Sequence, residues 1–185
     1  LSLSLSISLS LSLSLFLLLS VCLTQLNTSL KVRYWKYSNP SAPASQPPVL
    51  ALHGGPAFTH NYIKPLIRLA DMGFPVIFYD QVGLFTVNII LSFKNQTNPC
   101  LFYDQCGCGA SSFVEDPAAD APWLLTIPYY VEECHAVVNA LELLSTGYYV
   151  YGSSWGTVLA QEFAVTQPVG LRGLILDGAL ADGQT

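Results

Sequence analysis

The sequence predicts an α/β fold: a mostly parallel sheet with helices on both faces. Short apolar runs, each followed by a turn signal, have the composition of strands that are covered on both sides. Between them lie segments whose apolar residues recur every three to four positions, as in amphipathic helices. Strands that alternate with helices need crossover connections, and these favour a parallel sheet.

The predicted elements begin near Leu30 and are separated by a proline-rich loop at 39–48 and by glycines. Gly73 and Gly147 follow helical segments and are typical helix stops. The predicted strands are Lys31–Tyr37, Val49–Leu52, Phe74–Tyr79, Tyr148–Tyr151 and Leu171–Leu176. The predicted helices are Asn61–Met72, Ile127–Leu144 and Thr157–Thr166.

Composition argues against several classes of partner. The 185 residues are 51% hydrophobic and 10% charged, with a net charge of −5, so we expect no basic patch for nucleic acid. Five cysteines include Cys106, Cys108 and Cys134 (the last beside His135), but zinc sites usually need two well-spaced pairs. We therefore predict no metal, no other cofactor, and buried, reduced cysteines.

Residues 1–20 alternate leucine and serine almost without interruption. The alternation fits a strand, and Leu15–Val21 resembles the apolar part of a secretory signal that lacks its basic region and cleavage site. We favour a third interpretation, translation of a simple nucleotide repeat, which leaves residues 1–29 outside the fold. The serines lower the hydropathy below that expected of a membrane span. This predicts a cytoplasmic protein, or a secreted one if the segment is a true signal.

The segment Gly152-Ser-Ser-Trp-Gly156 matches G-x-S-x-G, with Ser154 at its centre. An apolar strand precedes it and a helix follows, which is the context of a nucleophile elbow. Small flanking residues let the backbone close a tight turn, so that the serine stands above the sheet. The N-terminus of the following helix directs N–H groups and a positive dipole end toward the site.

A second motif, His53-Gly-Gly-Pro-Ala57, directly follows a predicted strand. Two glycines allow close approach of the backbone to a substrate, as an oxyanion hole requires. The donors would be the N–H groups of Gly55 and Trp155. His53 is interpreted as a loop-structuring residue, because the catalytic histidine of this arrangement follows the nucleophile.

A third motif is the glycine-rich turn from Asp104 to Ser111, which contains Gly107 and Gly109. It could instead open a phosphate loop in a non-enzymatic nucleotide-binding module. Ser112, however, stands where a dinucleotide fingerprint has Gly or Ala, and no P-loop lysine follows.

Taken together and in order, the three motifs resemble the proline iminopeptidase family of α/β-hydrolases. The resemblance covers about Leu30 to Gly183, although the family's HGGPG ends here in Ala57. It implies that Ser154 is the nucleophile of a serine aminopeptidase acting on short peptides or amides, with Gly55 and Trp155 as the oxyanion hole. The residues that it implies as motif-supporting are His53, Gly54, Pro56, Asp104, Gln105, Gly107, Gly109, Gly152 and Gly156. An amino-acid amide or ester hydrolase of the same fold is the alternative.

Two features depart from the family pattern. Phe78-Tyr-Asp-Gln81 recurs as Phe102-Tyr-Asp-Gln105, and removal of 82–105 would restore an uninterrupted motif. We interpret 82–105 as a retained intron, the alternative being a surface insertion. In addition, all three histidines precede Ser154. The triad acid and base and the cap domain are therefore expected to be missing from residues 30–185, a partial α/β-hydrolase domain with little or no activity by itself.

Overall fold

The computed structural model describes residues 15–22, 29–42, 45–55, 58–81, 83–84, 113–114 and 126–179. The strands are β1 (Leu15–Cys22), β2 (Ser29–Tyr37), β3 (Val49–Leu52), β4 (Val76–Tyr79), β5 (Gly83–Leu84), β6 (Phe113–Val114), β7 (Tyr148–Ser153) and β8 (Leu171–Asp177). The helices are a 3₁₀ helix (His60–Met72), α1 (Ile127–Ala140), α2 (Leu143–Thr146) and α3 (Trp155–Val165).

Six strands form one sheet in the order β1-β2-β4-β3-β7-β8. The strands β4, β3, β7 and β8 pair in parallel, whereas β1 with β2 and β2 with β4 are antiparallel. The short strands β5 and β6 pair separately, in parallel. The predicted α/β class is confirmed, with a mixed sheet whose central strands are parallel.

The sheet begins earlier in the chain than the expected boundary near residue 30. Strand β1 pairs with β2 along its whole length, from Leu15 opposite Lys36 to Cys22 opposite Ser29. A strand at this position satisfies main-chain N–H and C=O groups that β2 would otherwise leave unpaired at the edge. Residues 15–22 therefore belong to the sheet, contrary to the expectation that residues 1–29 take no part in the fold. Residues 1–14 and 23–28 lie outside the described ones.

Side chains on the two faces of the sheet form two separate clusters. On one face, buried residues of β3, β4 and β7 pack against α1 and α3, including Leu50, Ile77, Val150, Val137 and Phe163. On the other face, the 3₁₀ helix covers a cluster of Val49, Ala51, Ile63, Val76, Phe78 and Tyr151. Burial of each large apolar side chain contributes about 1.5–3 kcal/mol to the free energy of unfolding. The helices on both faces therefore stabilise the sheet.

The helix ends follow local chemistry. Gly73 has φ 93°, and its N–H donates to the Ala70 carbonyl at 3.0 Å, which confirms the predicted stop. Thr126 caps α1 by accepting from the Tyr129 N–H. The predicted helix 127–144 ends earlier, at Ala140, because Glu142 adopts a left-handed conformation (φ 55°) before α2. Within the described residues, no helix combines the length and the apolar character that crossing a bilayer requires.

Candidate active site

Ser154 occupies the turn between β7 and α3 in a conformation that non-glycine residues rarely adopt, with φ 52° and ψ −121°. Such a conformation costs on the order of 1–3 kcal/mol and persists only when surrounding contacts hold it. Here the Ser154 N–H donates to the Asp177 carbonyl at 3.0 Å. The Ser154 carbonyl accepts from the Thr157 N–H at 2.8 Å and from Thr157 Oγ1 at 2.6 Å.

The hydroxyl of Ser154 does not cap the helix that it precedes. A serine at an N-cap usually accepts from an N–H of the first turn, but Ser154 makes no such side-chain bond. The residue is exposed, whereas Ser153 before it is buried. The turn therefore presents the Ser154 hydroxyl to solvent and leaves it available for chemistry.

Gly152 and Gly156 are required by the packing of the turn. A Cβ on Gly152 would overlap the Gly156 carbonyl, and a Cβ on Gly156 would overlap the Leu52 carbonyl at the end of β3. The first turn of α3 thus lies directly against β3 and β7, a close helix–strand approach that only glycine permits. This gives the G-x-S-x-G pattern its physical reason in this chain.

The segment from His53 to His60, here called the oxyanion loop after the prediction from the sequence, follows β3, and its Gly54 lies against the turn at Ser154. A Cβ built on Gly54 would lie 3.1 Å from Ser154 Cβ and 3.2 Å from the Ser153 carbonyl oxygen. Gly55 has φ 124°, a conformation that favours glycine. The structure therefore brings Gly54 against Ser154, with Gly55 and Trp155 as their neighbours in the chain, while Pro56 and Ala57 lie outside the described residues.

Trp155 is the first residue of α3, so its N–H has no partner within the helix. The Trp155 ring lies edge-on to Tyr130 of α1, with 6.2 Å between ring centroids. This contact ties the first turn of α3 to α1 and helps to fix the direction of the Trp155 main chain.

His53 is fully buried and uses both ring nitrogens inside the protein. Nε2 accepts from the Gln81 N–H at 3.0 Å, so the proton lies on Nδ1, which donates to the Gly54 carbonyl at 2.8 Å. Burial lowers the pKa of His53, and this effect outweighs the Gly54 carbonyl and the Asp80 charge, which raise it. A buried neutral imidazole with both nitrogens bonded matches the loop-structuring interpretation.

His60, at the other end of the oxyanion loop, is paired with Asp80. His60 Nδ1 lies 2.7 Å from Asp80 Oδ1, which also accepts from the His60 main-chain N–H at 3.1 Å. The imidazole stacks against Trp35, with 4.0 Å between ring centroids. His60 is 3% exposed and Asp80 1% exposed, so this is a buried, charge-assisted contact.

His135 lies at the opposite end of α3 from Ser154. His135 Nε2 is 2.9 Å from Thr166 Oγ1, and Thr166 is the C-cap of α3. Because α3 has 11 residues, this places His135 about 16 Å along the helix from Ser154. All three histidines belong to the described residues, and each is engaged away from the Ser154 hydroxyl.

Three side chains at the site were not singled out as site residues by the sequence. Asp80 and Gln81 belong to the first Phe-Tyr-Asp-Gln copy. The glycine-rich motif was predicted on the second copy, because Gly107 and Gly109 follow that copy. The phenol of Tyr62 accepts from the Gly54 N–H at 2.5 Å. The repeat itself was a sequence signal that could have pointed to Asp80 and Gln81. No sequence signal pointed to Tyr62. Asp104, Gln105, Gly107 and Gly109 lie outside the described residues.

A cavity of about 380 Å³ opens between the 3₁₀ helix and the carboxyl ends of β7 and β8. Its polar wall is formed by Tyr62, Arg68, Tyr151, Ser153 and Asp177. The Tyr151 hydroxyl donates to Asp177 Oδ2 at 2.6 Å, and burial together with this carboxylate raises the pKa of Tyr151 to about 12. Within the described residues, no three His, Cys, Asp or Glu side chains group in a way that could hold a metal ion.

No protein-family model matches the sequence. The chain is 33% identical over 133 residues to a proline iminopeptidase of Thermoplasma volcanium, covering 72% of this chain and 35% of that protein. A proline iminopeptidase of Lactobacillus delbrueckii subsp. lactis is 33% identical over 138 residues, covering 74% and 37%. The chain thus spans about a third of the length of the curated relatives that it matches.

Solved structures show the same similarity as the curated sequences. The proline iminopeptidase of Mycobacterium smegmatis superposes with a TM-score of 0.58 and 32% identity, over 85% of this chain and 42% of that one. The structure of VinJ gives a TM-score of 0.60 and 26% identity, over 86% and 43%. A strained serine between β7 and α3, a glycine loop against it, and these similarities in sequence and fold agree: the chain belongs to the proline iminopeptidase family of α/β-hydrolases.

Proposed function

We propose that this chain carries the nucleophile of a serine aminopeptidase that releases an N-terminal residue, of the proline type, from short peptides. The observation that carries the proposal is Ser154 itself. Its hydroxyl is exposed and makes no capping bond on a strained strand–turn–helix junction. The name shared by the similar proteins supports the substrate class.

The proposed reaction proceeds through an acyl-enzyme. Ser154 Oγ attacks the carbonyl carbon of the first peptide bond while its proton passes to a general base. The N–H groups of Gly55 and Trp155 stabilise the resulting oxyanion, since both belong to segments that meet at the nucleophile turn. The C–N bond breaks, the leaving amine takes a proton, and water then hydrolyses the acyl ester.

The general base is proposed to be a histidine outside residues 1–185. His53 has both ring nitrogens bonded, His60 is paired with Asp80, and His135 lies at the far end of α3. Loss of the histidine from a serine triad lowers kcat on the order of 10⁶-fold. We therefore propose that the 185-residue chain alone turns over little or no peptide.

The test begins with sequencing of the transcript past the codon for Thr185. The encoded longer protein and the 185-residue chain are then assayed with proline, alanine and phenylalanine anilides, and with the matching amides and esters. We expect the longer protein to prefer the proline anilide, and Ser154→Ala to abolish turnover while circular dichroism stays unchanged. Turnover of amides or esters only would favour the amino-acid amide or ester hydrolase. Undiminished turnover by Ser154→Ala would refute the nucleophile.

A further inference from the structure

We propose that Gln81 is a positioning residue of the oxyanion hole, which acts through His53 on the direction of the Gly55 N–H. The inference rests on the proposed function, since the direction of this donor matters only if Ser154 attacks a carbonyl. Gln81 is the second residue after β4 and is fully buried. It lies 28 positions from His53 in the chain, so no local pattern links the two residues.

The first step of the argument is the tautomer of His53. The Gln81 main-chain N–H points at His53 Nε2 from 3.0 Å, so that nitrogen must accept. In a neutral imidazole the other nitrogen then carries the proton. The side chain of Gln81 adds a second contact, because its Nε2 donates to the His53 carbonyl at 3.2 Å. Gln81 thus fixes both the ring and the main chain of His53.

The second step is the peptide group that supplies the oxyanion donor. His53 Nδ1 donates to the Gly54 carbonyl at 2.8 Å. The Gly54 carbonyl and the Gly55 N–H belong to one planar trans peptide group, in which the two bonds point in opposite directions. A hydrogen bond that fixes the carbonyl therefore also fixes the direction of the Gly55 N–H. Glycine at both positions would otherwise leave this peptide group free to rotate.

The far end of the oxyanion loop is held by the neighbour of Gln81 in the chain. Asp80 Oδ1 accepts from the main-chain N–H and from Nδ1 of His60. Two consecutive residues after β4 therefore hold the two ends of the loop. Only the Gln81 end reaches the peptide group of the donor, because His60 contacts Asp80, Trp35 and Phe78. The His60 end therefore anchors the loop without contacting the peptide group of the Gly55 donor.

The decisive variant is Gln81→Met, which keeps the length of the side chain and removes its donor. Gln81 Oε1 is buried and finds no partner in the described part of the chain, so the substitution also removes an unpaired acceptor. We therefore expect the melting temperature to change little. Misdirection of one oxyanion donor should lower kcat of the longer protein about 10- to 100-fold while KM stays near its original value.

Two further variants separate positioning from stability. His53→Asn keeps an amide N–H near the place of Nδ1 and should restore part of the kcat that His53→Phe loses. Gln161→Met is the matched control, because Gln161 Nε2 also donates to a main-chain carbonyl, that of Thr157, at 2.9 Å. It should leave kcat unchanged. Equal loss of kcat in His53→Asn and His53→Phe, or wild-type kcat in Gln81→Met, would overturn the proposal.

A spectroscopic measurement keeps this inference separable from the proposed activity. Imidazole ¹⁵N chemical shifts of the 185-residue chain report which ring nitrogen carries the proton. We expect His53 to be protonated on Nδ1 in the wild type and to keep this tautomer in Gln81→Met, because the main-chain N–H of residue 81 remains and only the side-chain contact to the His53 carbonyl is lost. A proton on Nε2 in the wild type refutes the positioning role even if the longer protein is active. The expected shifts with an inactive longer protein refute the function and leave the geometry standing.

Discussion

At the scale of single residues, the site depends on how closely backbones approach one another. Ser154 keeps its strained conformation because Asp177 and Thr157 bond its main chain. Gly54 and Gly156 let β3 and its loop lie against the same turn. Each contact holds a main-chain group whose direction matters for the proposed catalysis. Adding a single methyl group at these positions should therefore have a large effect on stability and activity.

Gly156→Ala should destabilise the chain by about 1–3 kcal/mol, because the added methyl group overlaps the Leu52 carbonyl and cannot be relieved by a side-chain rotation. Urea unfolding measures the change. Gly173→Ala is the control, since its methyl group would meet only Tyr149 at an ordinary 3.7 Å. Equal unfolding free energies for the two variants would contradict this account of the motif.

The buried His53 should make stability depend on pH. Its folded-state pKa is lowered by burial, while an unfolded histidine titrates near about 6.5. Below that pH the unfolded chain binds more protons than the folded one, so the free energy of unfolding falls as pH decreases. The slope from this residue is at most about 1.4 kcal/mol per pH unit. Urea unfolding at pH 7.5, 6.5 and 5.5 should show a weaker dependence in His53→Asn, and an unchanged dependence would refute this assignment.

At the scale of elements, the two helical layers hold the ends of β3, β4 and β7 in register. The helix α1 contributes Cys134, whose Sγ lies 3.1 Å from the Tyr79 hydroxyl of β4. Cys134 is fully buried, and burial raises the pKa of its thiol, with a further contribution from the Glu133 charge. This thiol is therefore part of the packing between α1 and the sheet and is not a reactive group.

Cys134 should resist alkylation in the folded chain. At pH 8 the thiol is protonated and shielded, so iodoacetamide should leave the Cys134 peptide unmodified in native buffer and modify it in 8 M urea, on the order of the concentration that unfolds most small domains. Mass spectrometry of the digested protein identifies the modified peptides. Rapid native modification of Cys134 would show that α1 does not pack on β4 as described.

At the scale of the whole molecule, the structure places the first copy of the repeated Phe-Tyr-Asp-Gln segment. The first copy supplies most of β4 and the Asp80 and Gln81 contacts, in the middle of the six-stranded sheet. These contacts do not require the second copy, which lies outside the described residues. The fold therefore agrees with a domain in which one copy is sufficient.

Deletion of Val82–Gln105 should yield a chain that still unfolds cooperatively and is at least as stable as the original. The deletion keeps β4, Asp80 and Gln81, and the described element that it removes, β5, pairs with β6 outside the six-stranded sheet. It also shortens the connection to α1, which lowers the entropy cost of closing it. Urea unfolding followed by circular dichroism measures both properties. Loss of cooperative unfolding would show that 82–105 contributes to the folded core.

The parts of the fold that the sequence predicted correctly are those with a local signal. The continuous apolar runs of β3, β4 and β7, the helix stop at Gly73 and the G-x-S-x-G turn each depend on neighbouring residues, whose chemistry sets the backbone conformation. The prediction was less successful at Leu15–Cys22, because the repetitive leucine–serine sequence that leads into this segment favoured a translated nucleotide repeat outside the fold. The pairing of β1 with β2 shows that the segment forms a strand.

The sequence by itself determined the α/β class, the order of the main strands and helices after residue 30, and the G-x-S-x-G turn between β7 and α3. Only the tertiary structure decided the partners of the three histidines. His53 is hydrogen-bonded to Gln81, His60 to Asp80, and His135 to Thr166 at the end of α3 remote from Ser154. The physical reason is the distance along the chain over which each interaction acts. Backbone conformation follows from adjacent residues, whereas a hydrogen bond between residues 20 or more positions apart exists only after the sheet has brought the ends of β3 and β4 together.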